Sequence, residues 1–291
     1  MSNKQFIVIK NSEEKEFYSE DKLRASLRSC GATSDQVDVI ITQLNNQIYN
    51  GISTNELYNK AFSLLKKLDR VFASRYSLKR ALFELGPTGY PFERLIGALL
   101  KEKGYKTEVG VILQGHCVTH EIDVLAEKEG SVYAIECKFH TDSKATSNVK
   151  VPLYINSRFL DVQKFWNASG KNDTNLKQGW LITNTRFTKD AIDYGKCIGL
   201  TLLSWDYPKG NGMKIKIDNY GLYPVTALTT LTKKEKQQLI ETDFILIKEL
   251  YSNLDFLQSI QISKSRINQT KNEIDKLLHY DKFTNKKSPI I

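Results

Sequence analysis

Two neighbouring segments, residues 121–127 and 131–139, constrain the fold of this chain more than any other feature. Each is a largely apolar segment that carries acidic residues over a length typical of a β-strand, and a short turn separates them. Period-two alternation places Glu136 and Lys138 on the same face of the second strand. The pair of segments therefore predicts two adjacent strands that carry charged groups into a largely apolar sheet.

Helical and strand patterns alternate around this pair of strands. Apolar residues recur at helical spacing from Phe92 to Leu100 and stop at Gly104. Such alternation predicts a layered α/β domain whose mixed sheet is flanked by helices. The other segments of this predicted domain are strands at 106–113, 178–183 and 201–205 and helices at 156–167 and 188–197.

The two ends of the chain show different patterns. We predict a short hairpin from 5–10 and 16–18, followed by helices, and helices again from Thr229 with a frayed tail at 281–291. Turn-forming residues at 86–91 predict a boundary. The predicted fold is multidomain α/β, with segments 1–88, 89–208 and 209–291. The four helices expected near the N-terminus begin at Ser19, Ser34, Thr54 and Val71.

Composition limits the classes of protein to consider. Hydrophobic residues make up 41% of the 291 residues and charged residues 26%, as in folded globular domains. The sequence shows no apolar run of about 20 residues and no basic-then-apolar leader pattern at its start, so we expect a cytoplasmic chain without a membrane partner. The cysteines form no CxxC pair, so we expect reduced core thiols at Cys30, Cys117, Cys137 and Cys197.

The formal charge of +9 and the sequence pI of about 9.1 favour a polyanionic partner. Lysine and arginine near phosphates release condensed counterions, which strengthens binding to nucleic acid. Excess surface lysine that serves only solubility explains the same charge equally well.

Asp123 and Glu136 predict a metal site when strand pairing brings them together, because carboxylate oxygens suit Mg²⁺ or Mn²⁺. Lys138 beside them would hold a phosphate and orient or deprotonate the attacking water. Glu93 would join from the preceding helix, one turn from Gly97, whose missing side chain leaves space. The alternative is a solvated strand face with no chemical role.

These residues and their order resemble the PD-(D/E)xK nuclease superfamily, and the surrounding sequence at 89–208 is similar to its Mrr-type restriction endonuclease branch. The resemblance implies that Asp123 and Glu136 bind the metal together with the backbone carbonyl of Cys137. It also implies that Lys138 assists the water and that Glu93 supports the site. The supporting segments are Gly104-Tyr105, Gly179 to Thr183 and Arg186-Phe187-Thr188.

Other charged residues near this motif have two interpretations. They would contact the phosphate backbone or the site itself, or they would be ordinary solvated side chains. The residues concerned are Gln163, Lys164, Arg158, Arg186 and Lys189, with His116, His120 and His140 flanking the site.

The N-terminal segment resembles the ATP-cone of ribonucleotide reductases over residues 3–85. The resemblance implies that lysines contact the phosphates of ATP or dATP, that a valine packs near the base and that two polar residues line the pocket. After its first lysine the chain has Asn11-Ser12-Glu13 where that family has Arg and an Asp-Gly turn. The alternative is a helical docking or dimerisation domain. The implied nucleotide-binding residues are Val8, Lys10, Glu16, Lys22 and Thr54.

Together these patterns predict a Mg²⁺- or Mn²⁺-dependent DNA endonuclease of restriction or defence, regulated by a nucleotide. A homodimer or higher homo-oligomer is expected, because a double-strand cut needs two active sites. The alternative is a non-catalytic, nucleotide-responsive DNA-binding regulator. RNA is a weaker expectation as the substrate, because no aromatic RNA-recognition motif is present. The sequence contains no Walker loop, so we do not expect ATP hydrolysis.

Overall fold

The computed structural model describes residues 6–10, 13–169 and 174–280. They form two compact units. The first takes the described residues up to Leu78 together with Ala227–Leu231, and the second takes Lys79–Thr226 and the described residues from Thr232 onward. Gly89, where a domain was expected to begin, lies within the second unit. Because compactness alone does not define a domain, the division into 1–88, 89–208 and 209–291 stays a prediction.

The first unit is a small three-stranded sheet with helices. Its first two strands form the predicted antiparallel hairpin, and a third strand, which the sequence did not suggest, pairs parallel to the first. Side-chain caps begin the first three helices, which explains why they start where the sequence predicted. The elements are β1 (Ile7–Ile9), β2 (Lys15–Phe17), α1 (Glu20–Ser29), α2 (Ser34–Asn45), β3 (Ile52–Ser53), α3 (Thr54–Leu68) and α4 (Arg70–Tyr76).

This unit has a hydrophobic core of its own, which runs from Val8 to Ala73. Leu27, Val37, Leu44 and Leu65 contribute fully buried side chains to it. Two expectations were inaccurate at the helix ends. The second helix stops at Asn45, not near Tyr49, and the single helix expected at 71–85 is two helices. Gln5, Asn11 and Ser12 lie outside the described residues.

The second unit is built on a five-stranded mixed sheet, which confirms the predicted layered α/β architecture. The strand order is β10-β8-β6-β5-β4, with the last three strands antiparallel and the first three parallel. Its elements through this sheet are α5 (Leu78–Phe83), α6 (Tyr90–Glu102), β4 (Lys106–Gln114), β5 (Thr119–Lys128), β6 (Ser131–Lys138), β7 (Thr146–Ser147), α7 (Lys150–Ala168), β8 (Asn175–Thr183), β9 (Arg186–Phe187), α8 (Lys189–Cys197) and β10 (Thr201–Leu203).

Helices α6 and α7 pack on the sheet through apolar side chains. Phe159 and Val162 of α7 contact a buried cluster with Ile122 and Ala134. The register between β5 and β6 follows from this burial, because a slip of one residue would turn the apolar side chains of a strand toward solvent. The core therefore fixes which residues of β5 and β6 lie side by side.

The C-terminal part of the second unit is helical, as predicted. Thr232 and Glu235 form a reciprocal capping box, and the guanidinium of Arg266 donates to both carboxylate oxygens of Glu235 at 2.8 and 2.7 Å. Residues 281–291, expected to be frayed, lie outside the described residues. The helices are α9 (Met213–Tyr220), α10 (Lys233–Glu241), α11 (Ile247–Tyr251), α12 (Phe256–Ser259) and α13 (Lys264–Leu278).

The prediction of four core thiols was wrong for two of the cysteines. Cys30 and Cys137 are buried, whereas Cys117 and Cys197 are exposed. Cys117 lies in the turn between β4 and β5, and Cys197 ends α8, where side chains face water. Among the described residues no helix is both long and apolar enough to cross a membrane.

Candidate active site

Strand pairing brings the two predicted acids together. Val124 of β5 pairs with Ile135 of β6, so the next residues along each strand, Asp123 and Glu136, also lie side by side. The Oδ2 atom of Asp123 accepts a hydrogen bond of 2.6 Å from the backbone N–H of Cys137. This bond fixes the carboxylate of Asp123 against the backbone of β6.

Strand β4, which pairs with β5 on the side away from β6, has a glycine opposite Asp123. The register of β4 on β5 pairs Val109 with Val124 and Val111 with Ile122, and Gly110 and Asp123 lie between these pairs. Gly110 has φ of +68°, in the left-handed region that favours glycine, and no atom lies within 4 Å of the Cβ it lacks. The ladder is therefore irregular directly beside Asp123. An isolated glycine in a strand pattern was the sequence signal for this feature.

Glu93 reaches the site from the first turn of α6. Tyr90 begins this helix and Pro91 follows in its first turn, and an added Cβ at Gly89 would lie 3.1 Å from Oε1 of Glu93. The explanation based on Gly97 was wrong. A Cβ at Gly97 would meet Val109 at 3.1 Å, so that glycine lets α6 approach β4, and Gly89 is the residue that makes room for Glu93.

These residues line one cleft of about 450 Å³. Lys138 is exposed there, and among the described residues its ammonium forms no hydrogen bond or ion pair. The structure thus brings all four predicted catalytic residues to one place. The cleft is lined by Pro87, Gly89, Glu93, Asp123, Glu136, Cys137, Lys138, Phe139, His140, Thr141, Asp142 and Ala145.

Burial and mutual repulsion raise the pKa values of the acids. Burial, and then the charges of Asp123, Glu121 and Glu136, raise the pKa of Glu93 to about 7. Burial and Asp123 raise the pKa of Glu136 to about 7, against the opposing effects of Arg158 and Lys138. Burial also raises the pKa of Asp123, which the hydrogen bond from Cys137 partly offsets. Concentrated negative charge of this kind favours a cation in the cleft.

Arg158 of α7 pairs directly with Glu136, which sequence reasoning missed. Its Nη1 atom donates to Oε2 of Glu136 at 2.8 Å, and its Nη2 atom donates to the backbone carbonyl of Glu121 at 2.5 Å. The Arg158 side chain is 18% exposed and that of Glu136 is 21% exposed. Arg158 was expected either to contact the DNA backbone or to be a solvated side chain. The pairing depends on how α7 packs on the sheet, which no local pattern reveals.

Three other candidates form hydrogen bonds with protein groups. Nε2 of His120 lies 2.8 Å from Oδ2 of Asp161, and Asp161 also accepts from the backbone of the turn between β4 and β5. Asn184 holds the backbone of His140 with two hydrogen bonds of 2.8 Å. The amide of Gln163 donates to the carbonyl of Leu176 at 2.9 Å. Gln163 therefore secures the start of β8.

The remaining charged candidates are on the surface. His116, Lys164 and Lys189 are exposed. Arg186 is exposed and lies 3.9 Å from a carboxylate oxygen of Asp206. Their contact with DNA stays a prediction.

In the first unit, the expected nucleotide residues are partly assembled. Lys10 Nζ lies 2.8 Å from Oε2 of Glu16, and Lys22 forms an ion pair with the same carboxylate. These two lysines lower the pKa of Glu16 to about 2. Val8 is buried opposite Glu16, and Thr54 begins α3. The lysines converge, but Glu16 already compensates part of their charge.

The donor set in the cleft suits a hard divalent cation. Among the described residues no group of three or more His, Cys, Asp and Glu side chains is arranged to hold a metal ion. Asp123 and Glu136 supply two carboxylates, and Mg²⁺ commonly takes one or two carboxylates with waters and substrate phosphate as its other ligands. The raised pKa values of the cleft acids are consistent with the same donor set.

Comparison with known proteins identifies the class of the domain that holds this site. A family model described as a restriction endonuclease, of the Mrr catalytic type, matches residues 87–206. The chain therefore carries a restriction endonuclease domain built on the mixed sheet. A second model, described as AF1548-like, C-terminal, matches residues 223–278, within the helical C-terminal part.

The relatives identify the family. An uncharacterized protein of Archaeoglobus fulgidus is 35% identical over 181 residues, which are 62% of this chain and 98% of that protein. The crystal structure of the protein of unknown function AF1548 is 32% identical, with a TM-score of 0.53 over 66% of this chain and 100% of that chain. The chain belongs to the AF1548-like family. The MspJI restriction endonuclease, solved with a 27-mer oligonucleotide, has a TM-score of 0.31 and 12% identity over 57% of this chain and 40% of that chain.

Proposed function

We propose that this protein is a Mg²⁺- or Mn²⁺-dependent endodeoxyribonuclease that acts in restriction or defence. The observation that carries the proposal is the convergence of Glu93, Asp123, Glu136 and Lys138 on one cleft of a restriction endonuclease domain. A structural role alone does not explain three acids whose burial and repulsion oppose their ionisation.

Asp123 and Glu136 would hold the metal, together with the backbone carbonyl of Cys137. When bound, the metal would lower the pKa of a water and stabilise negative charge at phosphorus. The hydrogen bond from Cys137 N–H orients the carboxylate of Asp123, and Arg158 orients that of Glu136 through Oε2. Both acids are thus held by neighbours before any ligand arrives.

Lys138 and Glu93 would act on the substrate and the water. Lys138 is exposed at the cleft and has no carboxylate partner among the described residues, so its ammonium is available to a phosphate oxygen. Glu93, with a pKa of about 7, can accept or release a proton near neutral pH.

The first unit would regulate this activity by binding ATP or dATP. Lys10 and Lys22 converge on Glu16. A triphosphate would displace the Glu16 carboxylate from the two lysines or share the lysines with it. Binding without hydrolysis would shift the population between competent and incompetent states of the nuclease. A homodimer would supply the second active site for a double-strand cut.

Two observations favour the alternative, a non-catalytic DNA-binding regulator. Arg158 already neutralises Glu136, and no cluster of three metal-binding side chains is present among the described residues. Such a regulator would bind DNA in a salt-sensitive manner and leave it intact in Mg²⁺ and Mn²⁺.

Plasmid nicking and linearisation in Mg²⁺ or Mn²⁺, with and without ATP, tests the nuclease. We expect Asp123→Asn, Glu136→Ala and Lys138→Ala each to lower the cleavage rate by at least about a hundredfold. Asp142→Asn is the matched control, because Asp142 lines the same cleft outside the paired acids. Cleavage that survives all three substitutions, or no cleavage of methylated and unmethylated plasmids by the wild type, would contradict the proposal.

A further inference from the structure

A concentration of positive charge lies at the end of α6 opposite the acidic cleft. It consists of three lysines and three aromatic rings, which we call the lysine–aromatic patch. Lys103 follows the last turn of α6, whereas Glu93 is in its first turn, so the patch lies about 15 Å from the cleft along the helix axis. The patch comprises Lys103, Lys128, Lys216, Tyr105, Tyr133 and Trp180.

The three rings of the patch pack against one another. The centroids of Tyr105 and Tyr133 are 5.8 Å apart, and Trp180 lies 5.9 Å from Tyr105 and 5.8 Å from Tyr133. All three side chains are only partly buried. Their negative faces position two ammonium groups, with Lys103 5.9 Å from the Trp180 ring and Lys128 5.4 Å from the Tyr105 ring.

Two of these lysines donate to uncharged oxygen atoms. Lys128 donates to the backbone carbonyl of Lys103 at 3.1 Å, and Lys216 donates to the side-chain oxygen of Asn211 at 2.8 Å. Among the described residues none of the three forms an ion pair. Elsewhere in the same unit, cations such as Arg94 are paired with acids.

The lysines also oppose one another's charge. Burial, and then Lys128, lower the pKa of Lys103. Burial, and then Lys103, lower the pKa of Lys216. The charge of Glu129 acts on one of the rings, because after burial and Tyr133 it is among the causes that raise the pKa of Tyr105. Partly buried, mutually repelling cations oppose folding unless an external anion compensates them.

We propose that the lysine–aromatic patch is a second contact surface for the DNA substrate, binding its phosphate backbone at a distance from the cleft. The inference rests on the proposed function only in taking DNA as the partner. Lysine suits this role because a compact ammonium attracts phosphates without a fixed bidentate geometry. Such contacts position the duplex and carry no sequence information.

The test measures DNA binding by the full chain without metal, so that cleavage does not intervene. Fluorescence anisotropy with a labelled duplex over a series of KCl concentrations gives the slope of log K against log salt. We expect the combined variant Lys103→Gln, Lys128→Gln and Lys216→Gln to reduce that slope by about 0.9 for each phosphate that a lysine no longer neutralises. The affinity at moderate salt should fall by about tenfold or more.

The matched control removes the same charge from exposed lysines of the C-terminal helices, with Lys234→Gln, Lys264→Gln and Lys271→Gln. We expect this variant to retain a slope close to that of the wild type. An equal fall in the slope of both variants, or no fall in the first, would overturn the proposal. Thermal unfolding checks the fold, and removing repulsion should leave the melting temperature of the first variant unchanged or higher.

This experiment separates the two proposals. If the plasmid assay finds no cleavage while the slope still falls in the patch variant, the proposed DNA-contact surface is supported and the proposed nuclease activity is contradicted. If Asp123→Asn abolishes cleavage while the patch variant and its lysine control have the same slope, the proposed nuclease activity is supported and the proposed DNA-contact surface is contradicted.

Discussion

The pKa of Glu136 is subject to opposing effects. It is buried beside Asp123, which raises its pKa, and it is paired with Arg158, which stabilises its ionised form. A mostly buried carboxylate without a partner is costly, so the guanidinium of Arg158 stabilises the ionised acid before a metal binds. Arg158 is in this sense a positioning residue.

A double-mutant cycle measures this pairing. Arg158→Met and Glu136→Gln, alone and combined, are unfolded in urea at pH 8, above the pKa of about 7 for Glu136. We expect a coupling free energy of about 1.5 to 3 kcal/mol, because the interaction joins two charged groups through a hydrogen bond. Tryptophan fluorescence follows the second unit, since Trp166, Trp180 and Trp205 all lie there. Additive effects of the two substitutions would show that the pair does not interact.

At this scale the sequence predicted which residues converge on the cleft better than it predicted their neighbours. Spacing along two strands was enough to select Asp123, Glu136 and Lys138, because strand alternation is a local property. The partner of Glu136 was missed because Arg158 lies on a helix whose rotation on the sheet depends on long-range packing. The space beside Glu93 was assigned to the wrong glycine for the same reason.

At the scale of elements, the irregular backbone of β4 is the feature closest to the chemistry. Gly110 adopts φ of +68° beside Asp123, and the Cβ it lacks would meet no atom within 4 Å. Any cost of a larger residue therefore comes from the backbone conformation, not from a clash.

Gly110→Ala and Gly110→Asn test this interpretation. We expect alanine to lower the free energy of unfolding by about 1 to 2 kcal/mol, and asparagine by less, because asparagine tolerates the left-handed region. If β4 positions Asp123, cleavage falls with alanine and recovers with asparagine. Equal stability of the two variants would show that the backbone at Gly110 relaxes freely.

The ion pair between α10 and α13 gives a pH-dependent contribution to stability. Arg266 lowers the pKa of Glu235 to about 2, below the value of about 4.3 expected in the unfolded chain. The stabilisation is therefore complete above pH 4.3 and is lost as the pH falls toward 2.

Glu235→Gln keeps the capping box and removes the charge. We expect it to destabilise the protein by about 1 to 3 kcal/mol at pH 7 in urea unfolding, with the difference shrinking steadily below pH 4. Glu241→Gln on the same helix removes an exposed charge and should cost less than about 0.5 kcal/mol. A difference for Glu235→Gln that does not change with pH would contradict the ion-pair explanation.

The sequence predicted long, regular elements better than short ones, although it began α7 at Asn156 and not at Lys150. The helix at α3 and the strand β6 have strong periodic patterns and were placed within a residue or two. The two-residue strands β3, β7 and β9 have no periodicity to detect, and α9 lies in a stretch that the sequence left as a linker. Pairing partners decide whether such short segments become strands.

At the scale of the whole molecule, the chain has more than one hydrophobic core. The core of the first unit involves residues from Val8 to Ala73, whereas separate clusters lie on the sheet of the second unit. The archaeal relative aligns over 98% of its own length with 181 residues of this chain. About 110 residues of this chain thus have no counterpart in that alignment.

Two cores predict two thermal transitions in calorimetry. We expect Leu44→Ala to lower the temperature of one transition and Leu99→Ala that of the other. Each substitution should lower the free energy of unfolding of its unit by about 2 to 5 kcal/mol, because both side chains are essentially fully buried. ATP should raise only the transition that Leu44→Ala lowers, if the first unit binds nucleotide. A single transition that both substitutions shift equally would mean that the two units unfold as one.

The position of β4 has a consequence for solubility. It is the outermost strand of the sheet on its side, and it presents the 73% exposed Ile112 to water. An open strand edge is a template on which another chain can add a strand and begin aggregation. The left-handed backbone at Gly110 divides that edge into two short runs, so the glycine beside Asp123 also limits edge-to-edge association between copies of the protein.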